Sequence, residues 1–157
     1  MVEKMPDKGR VTVEKLFRDG RLQLVDAQPQ RAIELVVQAQ KHVASATTLA
    51  SQDGTGAFQL LYDGARKTMT APLLAQGLRP TGEGAHAVLS EVLLAQFAPP
   101  HGEVLRKFDL MRRLRNNAEY PSGPLVELSS HEVLSYVPHV KQIITLVEKL
   151  LPQLKEF

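Results

Sequence analysis

Between Arg106 and Arg115 the chain carries Arg106, Lys107, Arg112, Arg113 and Arg115 against the single acid Asp109, its densest charge cluster. Guanidinium groups are built for two-pronged contact with phosphate or carboxylate, which makes this cluster the first place to look for chemistry. At about 100° per residue along a helix, Val104, Phe108, Met111 and Ala118 share a sector with Arg115, so this arginine sits inside an apolar stripe. Arg106 and Arg113 fall on the opposite side, as solvated surface charge does, while Arg112 and Glu119 flank Arg115 closely. A guanidinium on a face destined for burial needs a partner, because an unpaired buried charge is too costly to keep. Two arrangements fit. Glu119, one turn on, would form an ion pair with Arg115, and structural pairs of this kind are commoner than sites. Alternatively, Arg115 would stand at the lip of a site and face an anion, such as a phosphate, delivered from outside.

Other constellations fall away on spacing. Gly77-Leu78-Arg79-Pro80-Thr81-Gly82 has the glycines of a phosphate-binding loop, but Glu83-Gly84 stands where Lys-Ser/Thr is required, and no strand is expected before it. Gly54-Thr55-Gly56 lacks both a preceding strand and a third glycine, and reads as a helix-entry loop. The five histidines, His42, His86, His101, His131 and His139, include no i,i+4 pair around a glutamate, so neither a metal nor a cofactor is expected. No strand-turn-helix elbow presents a serine nucleophile. With no cysteine in the chain, disulfides, thiolate zinc sites, iron–sulfur clusters and cysteine nucleophiles are excluded together.

The elements that must position the cluster read as helices almost throughout, because apolar residues recur at helical spacing and no repeat interrupts them. A first helix is expected over about Thr12 to Val25, weakened by Gly20, after a tail over residues 1–11. Pro29 opens a second, with Ala32, Val36, Ala39, Val43 and Ala46 as its stripe, reaching about Ala50. Asp53 caps a third, striped by Phe58, Leu61, Ala65 and Met69, which Pro72 is expected to kink and Gly77 to end. A fourth carries Ala85, Val88, Leu89, Val92 and Leu93 as far as Pro99-Pro100. The fifth, from about Gly102 to Tyr120, holds the arginines and is closed by Pro121-Ser122-Gly123-Pro124. Ser129 with Glu132 makes the capping box of the last, in which Val133, Val137, Val140, Ile144, Val147, Leu151 and Leu154 alternate spacings of four and three, with a kink expected at Pro138. Short connections make an all-α, up-and-down bundle of five or six helices in one 157-residue domain.

Nineteen Lys and Arg against seventeen Asp and Glu give a net charge of only +2, and the pI of about 9.0 reflects how little titrates above neutrality without cysteine, so it does not by itself indicate nucleic-acid binding. The first residues mix both charge signs and lack an apolar run, so a cytoplasmic protein is the expectation.

The segment Arg112-Arg113-Leu114-Arg115-Asn116-Asn117-Ala118-Glu119-Tyr120 resembles the signature region of the HEPN superfamily, small helical bundles of prokaryotic toxin–antitoxin, defence and RNA-processing systems. Phe58 to Lys67, leading to Gly77-Leu78-Arg79-Pro80 and then His86, is similar to that family's earlier helix, its turn and the start of the next. The family motif is an Arg, a polar residue, and a His four to six positions beyond, projecting into a cleft where two protomers meet. Arg115 and Asn116 match, whereas the window for the histidine reads Tyr120-Pro121-Ser122. The resemblance implies an RNA-binding homodimer and, in active members, metal-independent RNA cleavage in which His handles protons and Arg holds developing charge. Losing a general acid or base costs about 10²- to 10⁴-fold, so a ribonuclease built on this chain would need Tyr120, Glu119 or the remote His86 to substitute, with Arg112 assisting at the phosphate. Tyr120, with an ordinary pKa of about 10, is a poor base at neutral pH and has an alternative role as a helix-end anchor. Two functions follow from the resemblance: a toxin or effector ribonuclease, or a non-catalytic module that partners a nucleotidyltransferase or an antitoxin. A bundle this small with a four-three seam carries more apolar stripe than one internal layer covers, which also favours a homodimer.

Overall fold

The computed structural model describes residues 8–119 and 127–157. Six helices run in the order α1 (Arg10–Arg18), α2 (Pro29–Leu49), α3 (Gly54–Gln76), α4 (Ala85–Phe97), α5 (Gly102–Glu119) and α6 (Ser130–Leu150), followed by a 3₁₀ turn at Leu151–Gln153. The all-α bundle expected from helical spacing is what forms. α3 is its axis, packed against α2, α6, α4 and α5, and its stripe of Phe58, Leu61, Ala65 and Met69 is fully buried.

The first helix ends earlier than its apolar pattern predicts. Asp19 caps α1, Gly20 takes a left-handed φ of 69°, and the Arg21 amide turns back to the Leu16 carbonyl. Leu22–Leu24 then form a short strand, β1, which pairs antiparallel with β2, Leu78–Pro80, so the segment assigned to helix to Val25 is partly strand. A three-residue strand is too short to show the two-residue alternation that would separate it from a helix end. At the other end, α1 takes in Arg10 and Val11, which the expected tail had covered; the rest of that tail, through Asp7, lies outside the described residues.

Helix ends obey their local chemistry. The Asp53 carboxylate accepts from the Gly56 amide at 2.8 Å, and the Ser129 hydroxyl accepts from the Glu132 amide at 3.1 Å. α3 runs through Pro72 and α6 through Pro138 within single helices. Gly77 ends α3 at φ 80°, where a β-carbon would lie 2.5 Å from the Val25 carbonyl oxygen, so glycine lets β1 and β2 approach. In α6 the seam residues Val133, Val137, Val140, Ile144 and Val147 are buried, while Leu151 and Leu154 lie beyond the helix and are partly buried.

α4 is held against α3 by a reciprocal amide pair. Gln76 Nε2 donates to Gln96 Oε1 at 2.9 Å, and Gln96 Nε2 donates to Gln76 Oε1 at 2.7 Å, both residues buried. In an apolar interior each amide satisfies the other, which fixes the register of the two helices. Among the described residues, no helix is long and apolar enough to cross a membrane.

Candidate functional site

Within the described side chains the Arg115 stripe forms as the wheel predicts: Phe108 and Met111 are fully buried, Val104 is partly buried, Arg115 is half-buried beside them, and Arg106 and Arg113 face solvent, while the side chain of Ala118 lies outside the described set. The guanidinium of Arg115 lies over the ring of Tyr62, its Cζ 5.3 Å from the centroid. A cation on an aromatic face is stabilised by the ring quadrupole. The proposed pairing of Arg115 with Glu119 falls on a residue whose side chain lies outside the described set, as does all of Tyr120.

Tyr62 organises the surroundings from α3. Its ring stacks on Phe108 of α5, with centroids 5.5 Å apart and planes 15° from parallel, and its hydroxyl sits 2.8 Å from Nδ1 of His86 in the first turn of α4. Three helices thus meet around one phenol that is 3% exposed. A tyrosine on an apolar stripe, four residues after Phe58, must find a partner for its hydroxyl, and that signal is readable in sequence although it was not singled out there.

His86, Arg112, Arg115 and Asn116 line one open cleft of about 360 Å³ together with Gly82 and Gly84. Four of the six residues expected at a site from sequence are therefore gathered in one place by two elements, the start of α4 and the last turns of α5, with the turn after β2 beside them. Arg112 is itself positioned, because its Nε lies 3.3 Å from Asp109 Oδ1, which also accepts from the buried Ser90 hydroxyl at 2.9 Å. Asp109 and Ser90 were not foreseen, since the spacing that joins them crosses between two helices.

The cleft favours negative charge for two reasons. Two guanidinium groups line it. Gly84, at φ 74°, caps α4 without a side chain, so the N–H groups of Ala85 and His86 open the helix where its dipole is positive. Burial, and then the charges of Arg66, Arg115 and Arg112, push the His86 imidazole below its ordinary pKa, outweighing the opposing pull of Asp63. His86 is consequently neutral at pH 7. Among the described residues no group of three or more His, Asp or Glu is placed to hold a metal ion.

Compared with protein-family models, with curated proteins and with solved structures, the chain gives no match in any of the three.

Proposed function

We propose that this chain is a HEPN-like protein that binds RNA in the cleft of Arg112 and Arg115 and cleaves it without a metal, as the toxin or effector half of a toxin–antitoxin or defence pair. The observation that carries the reading is the presence of His86 in the same cleft as Arg115 and Asn116. The imidazole missing from the window after Arg115 is supplied by the start of another helix.

In this reading Arg112 and Arg115 hold the non-bridging oxygens of one phosphodiester, with the opening amides of α4 adding hydrogen bonds as charge builds. Nδ1 of His86 is taken by Tyr62, so Nε2 faces the substrate. A neutral imidazole with Nδ1–H donated to the phenol oxygen has its lone pair on Nε2 and accepts the proton of the ribose 2′-hydroxyl. The 2′ oxygen then attacks phosphorus, the bond to the 5′ oxygen breaks, and that oxygen leaves with a proton from water. The products are a 2′,3′-cyclic phosphate end and a 5′-hydroxyl end. Asn116, exposed at the rim, offers an amide to the strand.

One observation favours a second reading. If the Tyr62 hydroxyl donates to Nδ1, the imidazole proton sits on Nε2, and His86 becomes a hydrogen-bond donor to phosphate instead of a base. The chain would then be a non-catalytic module that pairs with a nucleotidyltransferase or an antitoxin.

The two readings separate in one assay on end-labelled RNA in the presence of chelator. Cleavage giving 2′,3′-cyclic ends, reduced at least about 100-fold in His86→Asn, supports the ribonuclease; Asn leaves Tyr62 a polar partner. RNA retained without cleavage supports the binding module. Failure of the wild-type chain to bind RNA removes both.

A further inference from the structure

A second charged group lies beside the cleft, on the edge of α3 that meets α2. Lys67 Nζ is 2.8 Å from His42 Nε2, and both approach Asp63, at 3.3 Å and 3.5 Å. Arg66 grips the same carboxylate through Nη2 at 2.6 Å and Nε at 3.1 Å. Burial would raise the Asp63 carboxyl, yet Arg66 and Lys67 hold it below its usual range, so it is ionised. His42 is pushed down by its own burial and by Lys67, so it is neutral at pH 7 and accepts from the ammonium. Two full cations therefore share one carboxylate, and one positive charge is surplus.

A purely structural pair needs one cation per carboxylate. Here the second cation is held in place by two partners and still reaches the surface, with its side chain 19% exposed. The close approach that positions it rests on Gly64, where a β-carbon would lie 3.3 Å from Cβ of His42 and 3.2 Å from the Ala39 carbonyl oxygen. The group neighbours the cleft through α3. Arg66 stands four residues after Tyr62 on α3, and Tyr62 meets both His86, at 2.8 Å, and the guanidinium of Arg115, so Arg66 and then Lys67 carry positive charge onward along α3 from the cleft. Residues four apart on a helix stand about 5–6 Å from each other, which sets Arg66 beside Tyr62. A narrow line of restrained cations follows a phosphate backbone, whereas a protein interface would be expected to carry an apolar centre.

We infer that the RNA strand held at Arg112 and Arg115 continues across α3, and that Lys67, set by His42 and Asp63, binds a second phosphate beyond the one in the cleft. The inference rests on the reading of the cleft as an RNA site. A lysine already immobilised loses little side-chain freedom on binding, so the contact adds affinity without reading sequence.

The test compares uridylyl-uridine with an oligouridylate of about eight nucleotides, within the range of single-strand sites, by calorimetry at several salt concentrations. In the wild-type chain the longer RNA binds more tightly and with a steeper salt dependence. Lys67→Gln weakens the longer RNA about fivefold and flattens its log–log salt slope by about 0.7, leaves the dinucleotide unchanged, and Lys67→Arg restores the loss. An unchanged octamer, or equal losses for both lengths, overturns the inference. Equal wild-type affinity for both lengths also overturns it while leaving the cleft intact, and binding of neither RNA removes cleft and extension together.

Discussion

The Tyr62 hydroxyl lies 2.8 Å from Nδ1 of His86, while the ring that bears it lies 5.3 Å from the guanidinium carbon of Arg115. One buried residue of α3 thus orients both groups assigned to the phosphate, and the two contacts can be separated. Tyr62→Phe keeps the stack on Phe108 and the face beneath Arg115 but removes the hydroxyl. The expected result is a stability loss of about 1 kcal/mol, with RNA affinity retained and cleavage reduced because His86 is no longer held in one tautomer. Thermal melting and single-turnover cleavage measure the two effects.

Acid should weaken the fold before any carboxylate titrates. His42, His86 and His139 are all held below the ordinary histidine value of 6.5, each chiefly by burial. The unfolded chain therefore binds more protons than the native one once the pH falls through about 6.5, and stability rises with pH across that window. Melting temperature is expected to be flat above pH 7 and to decline from about pH 6.5 downward, levelling only below the native pKa values. A melting temperature that rises on acidification from pH 7 to pH 5 would contradict the assignment of neutral histidines.

How far the site could be read in advance follows from which contacts are local. Arg115 and its neighbour Arg112 were legible because a helical wheel places neighbours on one helix, Asn116 through the resemblance, and Asp53 and Ser129 because a cap acts within three residues. His86 was reachable only through the resemblance, since the 2.8 Å contact with Tyr62 joins residues 24 positions apart. The Asp109–Ser90 contact and the His42–Lys67 pair likewise cross between helices, and no periodicity encodes them. β1 was misread because three residues carry no usable period, and its pairing with Leu78–Pro80 is a tertiary choice.

The amide pair of Gln76 and Gln96 should behave as a unit. Gln96→Leu leaves the buried Gln76 Oε1 without its donor, while Nε2 keeps the Pro72 carbonyl at 3.1 Å, and is expected to cost about 1–3 kcal/mol, whereas the double Gln76→Leu, Gln96→Leu chain should recover part of that loss. A double-mutant cycle by chemical denaturation checks it; strictly additive losses would show that the two side chains do not depend on each other.

The resemblance also carries the expectation of a homodimer whose protomers meet at Arg115. Light scattering should give twice the 17.4 kDa chain mass. A mass of one chain at all workable concentrations would remove the dimer.

The most direct measurement is the affinity of the chain for a short single-stranded RNA, by fluorescence anisotropy, in wild type, Arg115→Met and Arg113→Ala. Methionine preserves the apolar stem over Tyr62, so Arg115→Met should melt close to wild type, while losing charged hydrogen bonds worth about 1.5–3 kcal/mol, or about 10- to 100-fold in affinity. Arg113 faces solvent outside the cleft, and its removal should change affinity little. Equal RNA affinity in wild type and a well-folded Arg115→Met chain would contradict the phosphate site and leave Arg115 a residue of the scaffold.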